Sequence, residues 1–211
     1  LDTPALALGQ AHREALRMAD IVSDMLTRTI DTFTREDPEL IDHIEEKDNQ
    51  VDTLDRDIKH YLTKLSQQSL TAEQSKREIG ILSFVNNLEN IGDIVDKNLM
   101  ELAKKKANKG ARFSDAGAQE ITLLHKKVVQ NLELAIAAFA ANDQVLAQQV
   151  LERKLELSQT ERRFRQAHIE RLHAGYRESI DTSEIHLDVL TNLKRINSHV
   201  TAVAYPILES A

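Results

Sequence analysis

Apolar residues recur at intervals of three and four along nearly the whole chain, and the rhythm breaks only at turn chemistry. Ala11, Ala15, Met18, Val22, Met25 and Ile30 predict a first helix over roughly residues 8–35. Asp37 and Pro38 restart the pattern, because an aspartate caps a free backbone amide and proline suits the first helical position. The second helix, about 38–66, carries Ile44, Val51, Leu54, Ile58, Leu62 and Leu65 on one face. SQQSLTAEQ ends it, and Thr71 with Gln74 has the spacing of a capping box that opens a third helix to about Lys106.

The stretch KKKANKGARFSDAG (104–117) changes composition, with two glycines, clustered lysine and arginine, and Ser114 or Asp115 placed to cap the next helix. It reads as a linker whose cations sit favourably at a helix C-terminus rather than as a phosphate or lipid site. Beyond it the pattern resumes near 115–141, breaks at Asn142-Asp143, continues to about 173, turns around AGYRESIDTS and ends with a helix near 183–209. Asp181 and Glu184 again have capping-box spacing.

The two halves correspond in register as well as in their breaks. NLENIGD (87–93) and NLKRINS (192–198) stand 105 residues apart, and Ile44, Val51, Asp55 and Ile58 align with Val150, Leu157, Glu161 and Phe164 at a shift of 106. One three-helix unit therefore occurs twice. The expected fold is all-α, a tandem pair of three-helix bundles with six long helices: a first repeat at 1–107, a linker at 108–117 and a second repeat at 118–211.

Composition agrees with a bundle and narrows the chemistry. The 211 residues include six glycines, three prolines and no tryptophan, so the core is built from Leu, Ile, Val and Ala. A net charge of −7 argues against nucleic acid as a partner. The absence of cysteine removes disulfides, thiol nucleophiles and thiolate metal sites, and fits a reducing cytoplasm. No apolar run is long enough for a membrane span. The start at Leu1 without methionine or a signal pattern reads as a processed chain or a piece of a longer one.

The candidate chemistry lies in FVNNLENIGDIVDKNL (84–99). Ile81, Phe84, Leu88, Ile91, Val95 and Leu99 share one face, and Glu89, Asp93 and Asp96 form an acidic stripe a quarter turn away. Gly92 in mid-helix costs about 1 kcal/mol against alanine, which makes sense where another helix approaches closely. The second helix repeats the arrangement with Asp48, Asp52 and Asp55. Counted from a turn centred near Gln68, Asp48 and Glu89 fall at nearly the same height, so the stripes converge if they share a side of the hairpin. Oxygen ligands without cysteine favour hard cations such as Mg²⁺, Ca²⁺ or Mn²⁺. The bland alternative is a solvated acidic face beside Lys47, Lys97 and Arg56. In the second half Glu89, Asp93 and Asp96 become Lys194, Ser198 and Thr201, so a cation site belongs to the first half alone.

These residues resemble the PhoU family, whose paired three-helix bundles carry E/D-x-x-x-D motifs associated with multinuclear metal sites. Glu89-Asn90-Ile91-Gly92-Asp93 and Asp48-Asn49-Gln50-Val51-Asp52 both match. The ends, LDTPALALGQAHREALRM (1–18) and LKRINSHVTAVAYPILES (193–210), are similar to the PhoU-like C-terminal region of bacterial sodium/phosphate cotransporter family proteins. The resemblance implies a non-enzymatic cytoplasmic regulatory or coupling domain of a sodium-dependent phosphate transporter, at the inner face of the plasma membrane. Its implied partner is a membrane transporter domain of the same polypeptide, with a homo-oligomer left open. Its implied cofactor is a divalent or ferric metal ion at Asp48, Asp52, Glu89 and Asp93. The alternatives are a free-standing PhoU-type regulator of phosphate transport or signalling and, from another class, a carboxylate-metal enzyme of di-iron type. For the last, Glu170 to His173 supplies a Glu-x-x-His pair and Asp57 to His60 an aspartate version, at positions that are not equivalent in the two halves. Most of the eight histidines read as surface or interfacial residues, with His186 and His199 as candidate partner contacts. No catalytic residue is expected.

Overall fold

The computed structural model describes residues 3–35 and 37–209; Leu1 and the outermost positions of both terminal segments lie outside the described residues. Its helices are α1 (Pro4–Thr34), α2 (Pro38–Leu65), α3 (Ala72–Ile94), a π-helical segment (Val95–Met100), α4 (Glu101–Asn108), α5 (Asp115–Ala141), α6 (Gln144–His173), α7 (Arg177–Asp181), α8 (Ser183–Ala202) and α9 (Ala204–Leu208). The π segment joins α3 to α4 and α9 follows directly on α8, so the described residues form six long rods, as the periodicity predicts.

The predicted caps account for most of the helix starts. Asp37 accepts from Leu40 N at 3.2 Å with Pro38 in the first turn, and Thr71 and Gln74 complete both bonds of the capping box. Ser114 accepts from Gly117 N. Asn142 ends α5 in the left-handed conformation at φ 49°, and Asp143 then accepts from Val145 N and Leu146 N to start α6. The Asp181–Glu184 cap does not form: Asp181 closes the short α7, Thr182 stands before α8 without a side-chain capping bond and donates its hydroxyl to the Glu178 carbonyl instead, and Glu184 reaches Lys105 at 2.5 Å.

Packing follows the repeat. α1, α2 and α3 form one bundle and α5, α6 and α8 the other, and the two meet where α1 packs on α5 and α3 on α8. α2 and α6 are left on the outer flanks. The aligned apolar positions are buried in both copies, Ile44, Val51 and Ile58 in the first and Val150, Leu157 and Phe164 in the second, while at the fourth position Glu161 is buried and Asp55 half-buried. At the seam Phe84 stacks on Phe139 with ring centroids 3.7 Å apart, and His12 stacks on the other side of Phe139 at 4.6 Å. His125 Nε2 lies 2.7 Å from the Leu26 carbonyl across the same seam.

His125, His168 and His186 are buried, so His186 does not present the partner contact expected of it, whereas the other five histidines are exposed or half-buried. In the second bundle Arg171 donates to both oxygens of Glu120 at 2.8 and 2.7 Å, and His186 Nε2 lies 3.2 Å from the same carboxylate. The His168 ring stacks on His186 at 4.5 Å, with Nε2 2.9 Å from Ser183 Oγ. Burial, and next the charge of His186 and Arg171, pushes His168 down to about 4. Glu120 is held below the usual carboxylate range: burial opposes this, but the bonds from His186 and Arg171 outweigh it.

Candidate metal centre

α2 and α3 run antiparallel, and their acidic stripes share the groove between them. Asp48, Asp52 and Asp93 each bring one carboxylate oxygen to within 4.8 Å of the others. Asp48 is only 5 % exposed, whereas Asp52 is exposed and Asp93 half-buried. The side chains nearby are unevenly satisfied. Lys97 pairs with Asp93 one turn along the same helix, and Lys59 likewise with Asp55. Asp48 Oδ1 is buried without a hydrogen-bond partner. Burial raises its pKa to about 7, and the charges of Asp96, Asp52 and Asp93 add to the effect while Lys97 opposes it.

Gly92 explains how a carboxyl group reaches this depth. A Cβ there would fall 2.9 Å from Asp48 Oδ1 and 3.4 Å from Val51 Cγ1, so only glycine leaves room for α2 to set this side chain against the α3 backbone. Immediately beyond, Asp96 and Lys97 lie in the π-helical segment Val95–Met100. Segments of this kind occur as single-turn widenings of helices, frequently at functional sites.

Of the four residues expected to converge, the structure groups Asp48, Asp52 and Asp93 and leaves Glu89 outside that group. Glu89 is half-buried, and burial with the charges of Asp93 and Asp55 raises its pKa. The acid whose charge bears most on Asp48 is instead Asp96. The register differs from a symmetric count because the α2–α3 turn is asymmetric. Ser66 N and Gln68 N still bond back to α2 carbonyls, whereas the chain approaches Thr71 in extended form. Asp48 therefore faces Gly92, three residues beyond Glu89. Asp96 carried a sequence signal, as the last member of the α3 stripe.

An orphaned buried carboxylate oxygen, two further carboxylates within reach, and a glycine-lined recess fit a hard cation with oxygen ligands. The di-iron pattern does not assemble. Glu170, His173, Asp57 and His60 are all exposed, whereas such a site needs them projecting into the bundle.

The PhoU domain model matches residues 15–101 and 121–207, one copy in each half. The chain is 34% identical over 209 residues to a Salmonella typhimurium protein described as "Putative inorganic phosphate export protein YjbB", and 33% identical to the protein of that name from Escherichia coli. The match covers 99% of this chain but 38% of theirs. Among solved structures it is similar to PhoU from Pseudomonas aeruginosa, with a TM-score of 0.90 at 20% identity over 98% of this chain and 97% of that one. It is also similar to the phosphate transport system regulatory protein PhoU from Streptococcus pneumoniae, with a TM-score of 0.86 at 16% identity over 99% and 96%.

These findings correct the expected partner. The two PhoU structures consist almost wholly of this fold, so the fold stands without a transporter domain. Among the described residues no helix is long and apolar enough to cross a membrane. The membrane transporter domain is withdrawn as partner, and with it the placement in a sodium/phosphate cotransporter.

Proposed function

The chain belongs to the PhoU domain family, and from that premise we propose that it is a cytoplasmic regulator of phosphate transport rather than an enzyme. The observation that carries this reading is the family match in both repeats over a fold of two tandem three-helix bundles. The regulatory role in the name of the Streptococcus pneumoniae protein and the phosphate export in the name of the YjbB proteins point to the same ion.

Within that role the acidic groove is the cation-responsive part. Asp48, Asp52 and Asp93 would hold a divalent or ferric ion, with Glu89 and Asp96 flanking them on α3 and the π segment. Such an ion would supply positive charge where the carboxylates repel and tie α2 to α3. Asp48 donates its orphaned oxygen, Gly92 keeps the recess open, and Lys97 holds Asp93 in the groove.

Phosphate flux in cells lacking the chain tests the function. Uptake or export should change on its removal and return on complementation, and an unchanged flux would overturn the regulatory reading. Metal analysis of protein purified without chelator tests the groove separately. A retained ion is expected, and no uptake of added Mn²⁺, Mg²⁺ or Fe³⁺ would remove the cation from the proposal.

A further inference from the structure

Lys97 stands where the acidic groove meets the second repeat. It lies in the π segment Val95–Met100, which packs against both α2 and α8. On the groove side its ammonium donates to Asp93 Oδ1 at 2.5 Å. That carboxylate belongs to the trio with Asp48 and Asp52, and the charge of Lys97 bears on Asp48 and Asp96 as well. The hydrogen bond to Asp93, joined by the charges of Asp93, Asp48 and Asp52 and opposed by desolvation, holds the Lys97 ammonium above the ordinary lysine range. The other cations along the stripe are committed elsewhere, Lys59 to Asp55 and Lys104 to Glu45 and Glu101. Lys97 is thus the chain's own counter-charge for the trio.

On the α8 side Lys97 lines an open cavity of about 320 Å³ together with Glu101, Lys105, Asp188 and Asn192. Two of the charges there are already met, Glu101 by Lys104 at 3.1 Å and Lys105 by Glu184 at 2.5 Å. Asp188 is exposed, and its carboxylate has no hydrogen bond or ion pair among the described residues. Lys97 is itself exposed, so its side chain can leave Asp93 without giving up buried packing.

We propose that Lys97 is an internal competitor for the cation, holding the trio in the ion-free chain and passing to Asp188 on α8 when an ion enters. The inference rests on the cation reading of the groove. An ammonium within hydrogen-bond distance of a ligand oxygen lies close to any ion bound by that oxygen, and two like charges at that range repel. A divalent ion brings twice the charge of the ammonium and draws carboxylate oxygens to about 2.0–2.6 Å, so Lys97 gives way. Its ammonium sets the ion concentration at which the groove fills, and its release carries the state of the α2–α3 groove to a helix of the other repeat.

The test is calorimetric titration of Mn²⁺ into the whole chain, freed of metal by chelator and then of chelator by dialysis. Lys97→Gln should bind Mn²⁺ at least about fivefold more tightly than wild type, because the competitor and its repulsion are both gone. Asp188→Asn should weaken binding by about twofold or more in the wild-type background and leave Lys97→Gln unchanged, the coupling expected of two groups that act together. Circular dichroism confirms that each variant is folded. Equal or weaker binding by Lys97→Gln overturns the inference and leaves the cation site standing, whereas no Mn²⁺ binding by either wild type or Lys97→Gln removes the site and the inference with it. An Asp188→Asn effect that is nil, or as large without Lys97 as with it, overturns the passage to α8.

Discussion

Replacing Asp48 by asparagine keeps the shape of the side chain and removes its charge, and metal-free protein should become more stable at neutral pH as a result. The Asp48 pKa rises from 3.8 to about 7 on folding. The folded state therefore keeps a proton that the unfolded chain gives up, and stability is lost as pH rises from about 4 to about 7. About three units at 1.36 kcal/mol each make this at most about 4 kcal/mol. Asp52 is exposed and Asp93 half-buried, and solvent screens their share, so a gain of about 2–4 kcal/mol is expected. The assay is denaturant unfolding of chelator-treated wild type and Asp48→Asn between pH 4 and pH 8. The two should coincide near pH 4 and separate progressively towards pH 8, with the variant more stable. The buried histidines give the whole protein an opposite slope, so the informative quantity is the difference between the two curves. Added Mn²⁺ or Mg²⁺ should raise the wild-type midpoint and leave the variant nearly unmoved. A difference that stays constant with pH, or a variant less stable at pH 8, would refute the claim that Asp48 carries unrelieved charge.

Two further substitutions probe neighbouring features. Gly92→Ala should gain up to about 1 kcal/mol of helix propensity, yet its Cβ would displace Asp48 Oδ1. Near-unchanged stability with lost metal response by thermal shift is expected, and a retained response would show that the recess is not needed. His168 is neutral when folded, with its pKa lowered to about 4 from 6.5. Its contribution is complete above about pH 6.5 and fades as pH falls towards 4. His168→Gln should therefore flatten that part of the stability profile by about 2–3 kcal/mol, and urea midpoints that keep the wild-type slope would contradict it.

The rods were legible because Leu, Ile, Val and Ala return at helical spacing, and the duplication because NLENIGD and NLKRINS hold their register across the linker. Gly92 also carried its meaning in advance, since a glycine amid strong helix formers costs stability unless something presses against it. The vertical match of the two stripes was not legible. It depended on residues 66–71 leaving α2 as a tight turn and entering α3 extended, which shifts the facing positions by three residues. Nor did the pattern reveal that Glu120, Arg171, His168 and His186 would assemble inside the second bundle. Glu120 lies on α5, His168 and Arg171 one turn apart on α6 and His186 on α8, a span of 66 residues, so only the tertiary fold unites the charges. The π-helical segment after Asp93 likewise carries ordinary helical spacing, and nothing in VDKNLM marks the wider turn.

The position of α2 and α6 outside the seam bears on how a duplicated protein diverges. A change of charge on α2 meets mainly its own bundle, so one flank can change its polarity without disturbing the other. Substitutions at Phe84 or Phe139 lack that freedom, because each ring is the floor against which the other rests. The architecture therefore separates a central spine from two margins that each face their own bundle.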